Sequence, residues 1–222
     1  MTIAKVFVAM ALAASATALA GCGNAVTSPK ALFAAPDARG QAQPRPGVWG
    51  YSSSTKLPTC KVDTSQPVGT WDSCAGGFIV RPGEIYSQDG PDKPLKLDYR
   101  FVLARGAPAV LQALELGDKD FGGQYYFAGV RPLKFDAQGR VIELRAWQAM
   151  CGPPPPDDPT GNAHKLTDRM IPGLTADDRR DNCIAKSAAP VRLSAKDSDS
   201  WAAKSSGGVS EMYLQWVRDG ER

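Results

Sequence analysis

Leu97-Asp98-Tyr99-Arg100-Phe101-Val102-Leu103 alternates without a break, and Leu97, Tyr99, Phe101 and Leu103 fall on one face. A period of two over seven residues is the mark of a strand with one buried face, and a helix would scatter those four side chains. Outward from this stretch the pattern recurs in shorter pieces. Val110 to Leu116 reads as a strand, Gly117 to Gly123 as a turn, and Gln124 to Val130 as the next strand. A second hairpin joins Arg131–Phe135 to Val141–Ala149 through Asp136-Ala137-Gln138-Gly139. Upstream, Tyr51 to Lys61 and Gln66 to Val80 are short segments broken by Ser, Pro and Gly. Near the end, Met212, Leu214 and Trp216 line one side of Val209–Val217.

Composition agrees with that reading. The chain has 222 residues, 43% hydrophobic and 22% charged, which suits a folded body of one domain and excludes wholesale disorder or a multi-pass membrane protein. Gly (22) and Pro (18) are abundant enough to favour turns over long helices. The expected fold is therefore mainly β, an antiparallel sandwich or small barrel, with one or two short helices near the C-terminal side. The first helix candidate opens at Thr175, whose spacing to Asp178 fits an N-cap and its N3 partner. The second runs from Val191 to Lys204, with Pro190 in its first turn and Gly207-Gly208 beyond its end. Between the last strands, Pro153, Pro154, Pro155 and Pro156 can join neither a helix interior nor a central ladder and should run as polyproline II.

The N-terminus carries an address. Residues Val6 to Ala20 are apolar apart from Ser15 and Thr17, and Lys5 is the one charge before them. Fifteen residues are short for a membrane span, which needs about 20, and suit the hydrophobic region of an export signal. Leu19-Ala20-Gly21-Cys22 resembles the lipobox of bacterial lipoproteins. That resemblance implies a signal peptide over residues 1–21, cleavage before Cys22, a diacylglycerol thioether on its thiol, and acylation (such as palmitate) of its amine. Two or more acyl chains anchor durably, at about 0.8 kcal/mol per buried methylene. Gly23 stands where an Asp would favour retention at the inner membrane, so the resemblance points to the periplasmic face of the outer membrane. The segment to Pro46 is rich in Ala, Pro and Gly and shows no sustained period. It reads as a tether over residues 22–46, with Ala31 to Ala35 as a possible short helix, and residues 47–222 form the domain.

With Cys22 acylated, Cys60, Cys74, Cys151 and Cys183 remain. An even count in an exported chain implies a disulfide framework. Three pairings are possible; proximity favours Cys60–Cys74 and Cys151–Cys183. Each would be worth roughly 3 kcal/mol on the chain-entropy model. No C-x-x-C spacing occurs and no His adjoins a Cys, which argues against metal or redox chemistry.

Catalytic signals are sparse. Ser53-Ser54-Thr55-Lys56 matches S-x-x-K, but neither S-D-N nor K-T-G follows, and a solvated loop explains it. Asp118 and Asp120 begin like a calcium loop, yet the position that needs Glu is Gly129. The single histidine, His164, lies in a loop of Pro, Asp, Gly and Asn. Asp157, Asp158, Asp197 and Asp199 are ordinary surface acids. Net charge is +3, too weak a bias to specify nucleic acid. No enzyme activity, cofactor or metal is expected. The aromatics Trp49, Trp71, Tyr99, Phe101, Tyr125, Phe127, Trp147 and Trp216 either pack a β core or line a ligand cavity in a barrel.

Gly47-Val48-Trp49 resembles the G-x-W that opens lipocalins, some of which are outer-membrane lipoproteins. Arg131-Pro132-Leu133 before the Asp136–Gly139 turn, Cys151-Gly152 entering the proline tract, and the closing Trp216-Val217-Arg218-Asp219-Gly220 are similar to uncharacterised proteobacterial lipoproteins, a likeness that implies no activity. The expected function is a non-catalytic, membrane-tethered domain that binds a protein or envelope polymer. The alternatives are a lipocalin-like binder of a small apolar ligand and an enzyme of unrecognised site. The expected contact surface lies between Gly152 and Asn182, including Pro153 to Pro156; the bland reading is that this segment covers a sheet edge.

Overall fold

A computed structural model of the chain describes residues 25–51, 63–71, 76–116, 123–153, 169–177, 182–202 and 211–220. Eleven strands and one helix follow in chain order among these residues. They are β1 (Val26–Ser28), β2 (Gly47–Tyr51), β3 (Phe78–Arg81), β4 (Glu84–Ser87), β5 (Lys96–Ala104), β6 (Ala109–Glu115), β7 (Tyr125–Phe135), β8 (Val141–Gln148), β9 (Leu174–Ala176), β10 (Cys183–Ala185), α1 (Ala188–Ala202) and β11 (Glu211–Arg218). The fold is mainly β, as the alternation implies, and of the two architectures expected it is the barrel. From β2 to β8 each strand pairs antiparallel with the next; β11 then inserts between β8 and β2, closing an eight-stranded up-and-down barrel. Trp216 lies opposite Trp49 at that seam.

The inside of the barrel is the first core. Trp49, Phe78, Val80, Ile85, Phe101 and Leu103 line it from one side, and Ala109, Ala113, Val130, Leu144 and Ala146 from the other. Small side chains face large ones across the lumen. The face of β5 named by the sequence is this inner face for Tyr99, Phe101 and Leu103. Leu97 leaves it, because the β4–β5 ladder shifts register after Ile85 and sets Leu97 opposite Tyr86, which packs on the outer wall.

A second core lies outside the wall. Val102, Ala104, Val110 and Phe127 turn outward and meet Val26 and Phe33 from the N-terminal segment, Val191 and Ala195 from α1, and the two cysteines Cys151 and Cys183. The segment expected as a tether is thus part of the fold from Ala25 onward. β1 pairs antiparallel with β7 and parallel with β10, and a short 3-10 turn spans Ala35–Ala38. Three strand residues among Ala, Pro and Gly leave too short a period to see in sequence; burial of Val26 and Phe33 supplies what the pattern lacks.

Two further expectations change. The strands expected on either side of Val130 are one strand, β7, which carries Pro132 through the ladder opposite Leu144 with register shifts on its far side. The helix expected from Thr175 is a strand: β9 pairs with β10, and the Thr175 hydroxyl donates to the Ile184 carbonyl at 3.4 Å. The second helix forms as expected, starting three residues earlier at Ala188. Two serines of α1 complete the backbone of Met150, where the ladder of β8 has ended: Ser198 Oγ accepts its N–H at 3.0 Å and Ser194 Oγ donates to its C=O at 2.7 Å. Under the same helix the Trp147 indole donates to Ala195 O at 2.8 Å, and Gly129 leaves the space its ring occupies.

Candidate functional site

The two ends of the barrel differ in kind. At the end where β7 turns into β8, the N-terminal segment crosses the opening, with Val141 N donating to Gln43 O and Arg45 N to Val141 O, both at 2.9 Å. The Arg45 guanidinium lies 3.7 Å from the Trp216 ring centroid and 2.7 Å from Asp219. Trp49, 1% exposed, donates its indole N–H to Arg45 O at 2.8 Å. Gly47 has φ +130, and a Cβ there would collide with the Arg218 carbonyl and sit 2.8 Å from Trp216 Nε1. The G-x-W triplet therefore has a local physical basis: glycine admits the close approach, and tryptophan plugs the end.

At the other end the inward positions become polar and aromatic. Tyr99 lies opposite Glu115, Tyr126 opposite Ala113, Met212 opposite Ala146, and Tyr51 opposite Leu214. Residues directly opposite share a face, so these side chains continue the inner core upward. Glu115 is 6% exposed, an unusual position for a carboxylate. Gln124 faces it across the β6–β7 pair, with Glu115 N donating to Gln124 O at 3.4 Å. The Gln124 side-chain carbonyl is buried and finds no hydrogen-bond donor among the described residues. An unmet buried acceptor costs about 1–3 kcal/mol, which a ligand donor can recover. Tyr51 donates to Met212 Sδ at 3.9 Å, and Gly76, at φ +53, leaves room for its ring.

A second concavity lies on the outer wall between α1 and strands β7, β8 and β11. It is a groove of about 950 Å³. Arg145 runs along it, giving Nη1 to Asp199 at 2.5 Å and Nε to Glu211 at 2.7 Å, while Arg131 also pairs with Asp199. Burial works against the Arg145 charge, but the hydrogen bonds it donates to Asp199 and Glu211 outweigh it and hold its pKa above the ordinary value. The acids of this groove are met by those arginines, so it reads as the latch between helix and barrel.

The residues expected from sequence scatter. Of the eight aromatics, Trp49, Tyr99, Phe101 and Trp216 are in or against the inner core; Tyr125 and Phe127 belong to the outer core, Trp147 lies beneath α1, and Trp71 packs on the outside of β2 and β3. Cys151 and Cys183 form a disulfide with Cα atoms 5.8 Å apart. Asp199 is the latch acid, and Asp197 accepts from Ser200 through its backbone. Pro153 ends a described stretch. Cys22, Cys60, Cys74, Pro154, Pro155, Pro156, Ser53 to Lys56, Asp118, Asp120, Asp157, Asp158 and His164 lie outside the described residues. The sequence does not single out Tyr51, Glu115, Gln124 or Tyr126, and it marks Met212 only as part of the apolar side of the last strand. The one available signal was the Ala109, Leu111, Ala113, Glu115 line of β6, which ends an inward apolar series on a carboxylate.

Among the described residues no helix is long and apolar enough to cross a membrane, and no cluster of His, Cys, Asp or Glu is placed to hold a metal ion. No family model, curated protein or solved structure matches the chain.

Proposed function

We propose that the protein is a lipid-anchored envelope protein, acylated at Cys22, whose barrel binds a small amphiphile without chemical turnover. The observation that carries this reading is the contrast between the two barrel ends. One is sealed by Trp49, Arg45 and Trp216, and the other presents Tyr51, Tyr99, Glu115, Gln124 and Tyr126 above an apolar interior. An apolar body would lie against Phe101, Ala113 and Leu214, and a polar head would meet the carboxylate, the amide and the tyrosine rings. Among the alternatives weighed from sequence, this geometry favours the lipocalin-like binder over a docking surface for a polymer.

Titration with a polyene fatty alcohol, fluorescent only in apolar surroundings and carrying a hydroxyl donor for the Gln124 acceptor, tests the binding. Saturable uptake near one molecule per barrel is expected, and Met212→Trp should abolish it with the melting temperature unchanged. Uptake equal in both chains would show that this end is not the entrance. The anchor is tested separately by Cys22→Ser, which should leave unacylated precursor; membrane recovery and mobility equal to wild type would refute it.

A further inference from the structure

The chain is fixed to the fold at Ala25, three residues after Cys22. Ala25 donates its N–H to Asn182 Oδ1 at 3.3 Å, accepts from Cys183 N at 3.1 Å, and bridges Met150. Three residues, fully extended, span at most about 11 Å. That is a leash far shorter than the 25-residue tether the composition implied, and it restricts how the domain can sit on a bilayer.

Val26 N donates to Ala149 O at 2.9 Å, and Ala149 N to Phe127 O at 3.1 Å, so the attachment is abreast of Phe127, near the start of β7. From Phe127 to Phe135 the strand climbs about 26 Å, or roughly 20 Å of height at the tilt usual in small barrels. An orientation with the sealed end on the membrane would hold Ala25 about 20 Å above it, nearly twice the leash. β1 also runs antiparallel to β7, toward the tyrosine-bearing end, with β10 parallel beside it. Past their C-terminal ends stand Lys30 and Lys186, both exposed, with Arg169 exposed nearby on the disulfide-linked flank. None of the three forms an ion pair with another described residue. Cations in such a position are attracted by anionic headgroups.

We infer that the flank around Ala25 rests on the bilayer, with the tyrosine-bearing end of the barrel toward the lipid and the Asp136–Gly139 turn directed away, so that the ligand is an amphiphile exchanged with that same membrane. The inference rests on the anchored-binder reading above, and its occupant is the lipid surface itself.

The test uses the full, acylated chain in vesicles of phosphatidylethanolamine and phosphatidylglycerol that carry a headgroup quencher. A fluorophore is placed through an azide-bearing amino acid at Leu116, exposed just past β6 at the tyrosine end, or at Gln138 in the distal turn. Quenching at position 116 should exceed that at 138 by about threefold, given the height between the two ends. A Gly/Ser spacer of about 20 residues after Gly23, adding roughly 25 Å of reach, should bring the ratio close to one. Charge reversal in K30E/K186E should lower quenching at 116. Equal quenching at both positions in the parent chain, stronger quenching at 138, or a ratio unchanged by the spacer would each overturn the orientation. Polyene fatty alcohol uptake measured on the same vesicles separates the two readings. Uptake with equal quenching leaves the binder standing and removes the orientation; unequal quenching without uptake does the reverse.

Discussion

The side-chain amide of Gln112 pairs with the backbone of Phe33 as a neighbouring strand would, Oε1 accepting from Phe33 N and Nε2 donating to Phe33 O, both at 2.9 Å. The same oxygen accepts from Leu32 N at 2.6 Å, and Gln112 itself is 3% exposed. One side chain on the outer wall of β6 thus converts an apolar, proline-interrupted segment into part of the domain. The leash length is set earlier in the chain, where Ala25 joins Asn182 and Cys183; Gln112 keeps the residues after β1 on the barrel.

Gln112→Leu keeps the volume and removes three hydrogen bonds, leaving backbone groups of Leu32 and Phe33 buried without partners. The expected loss is about 2–4 kcal/mol, read as a lower urea midpoint. A chain in which residues 25–46 were a loose tether would show no change. Limited proteolysis of the variant should also cut near Phe33, where the parent chain resists.

The Cys151–Cys183 bridge closes a loop with a sequence separation of 32 and ties the end of β8 to β10 beside Ala25. Replacing both cysteines by Ala should cost about 3–4 kcal/mol on the chain-entropy model. Denaturation of the double variant under non-reducing conditions checks this. Stability equal to the parent would mean that the flank is held by the β1–β10 ladder alone.

Asp136 closes the β7–β8 turn. Burial pushes its carboxyl up, but the backbone N–H groups of Arg140 and Gln138 and the Arg140 guanidinium together hold its pKa below the ordinary 3.8. Because the folded value is depressed, its contribution is fully present above the unfolded value and disappears as pH falls through the folded one. Carboxyl NMR titration should therefore find Asp136 titrating below 3.8, and Asp136→Asn should flatten that part of the stability profile. A midpoint at or above 3.8 would contradict the turn geometry.

The legible parts of the fold are those whose physics is local. Tyr99, Phe101 and Leu103 alternate because one face is core, Asp136–Gly139 is a turn by its own hydrogen bonds, and α1 carries Pro190 where a first turn tolerates it. What was misread depends on partners distant in sequence. Thr175 has the neighbours of an N-cap, yet pairing with Ile184 makes it a strand residue. β1 exists because Phe127, Ala149 and Cys183 receive it. The candidate site was hidden for a related reason. β6 is covered on both faces, so Val110 and Gln112 outside are as buried as Ala109 and Ala113 inside, and alternation cannot tell which face holds Glu115. Only ring closure through β11 assigns the inside.

The binding role rests on an amphiphile held at the tyrosine-bearing end of the barrel. Native mass spectrometry of the acylated protein, released gently from its own membrane, measures this directly. One retained molecule of lipid-like mass per chain is expected, lost in Met212→Trp while the fold persists. A bare chain in the parent, with no uptake on adding the polyene fatty alcohol, would contradict it.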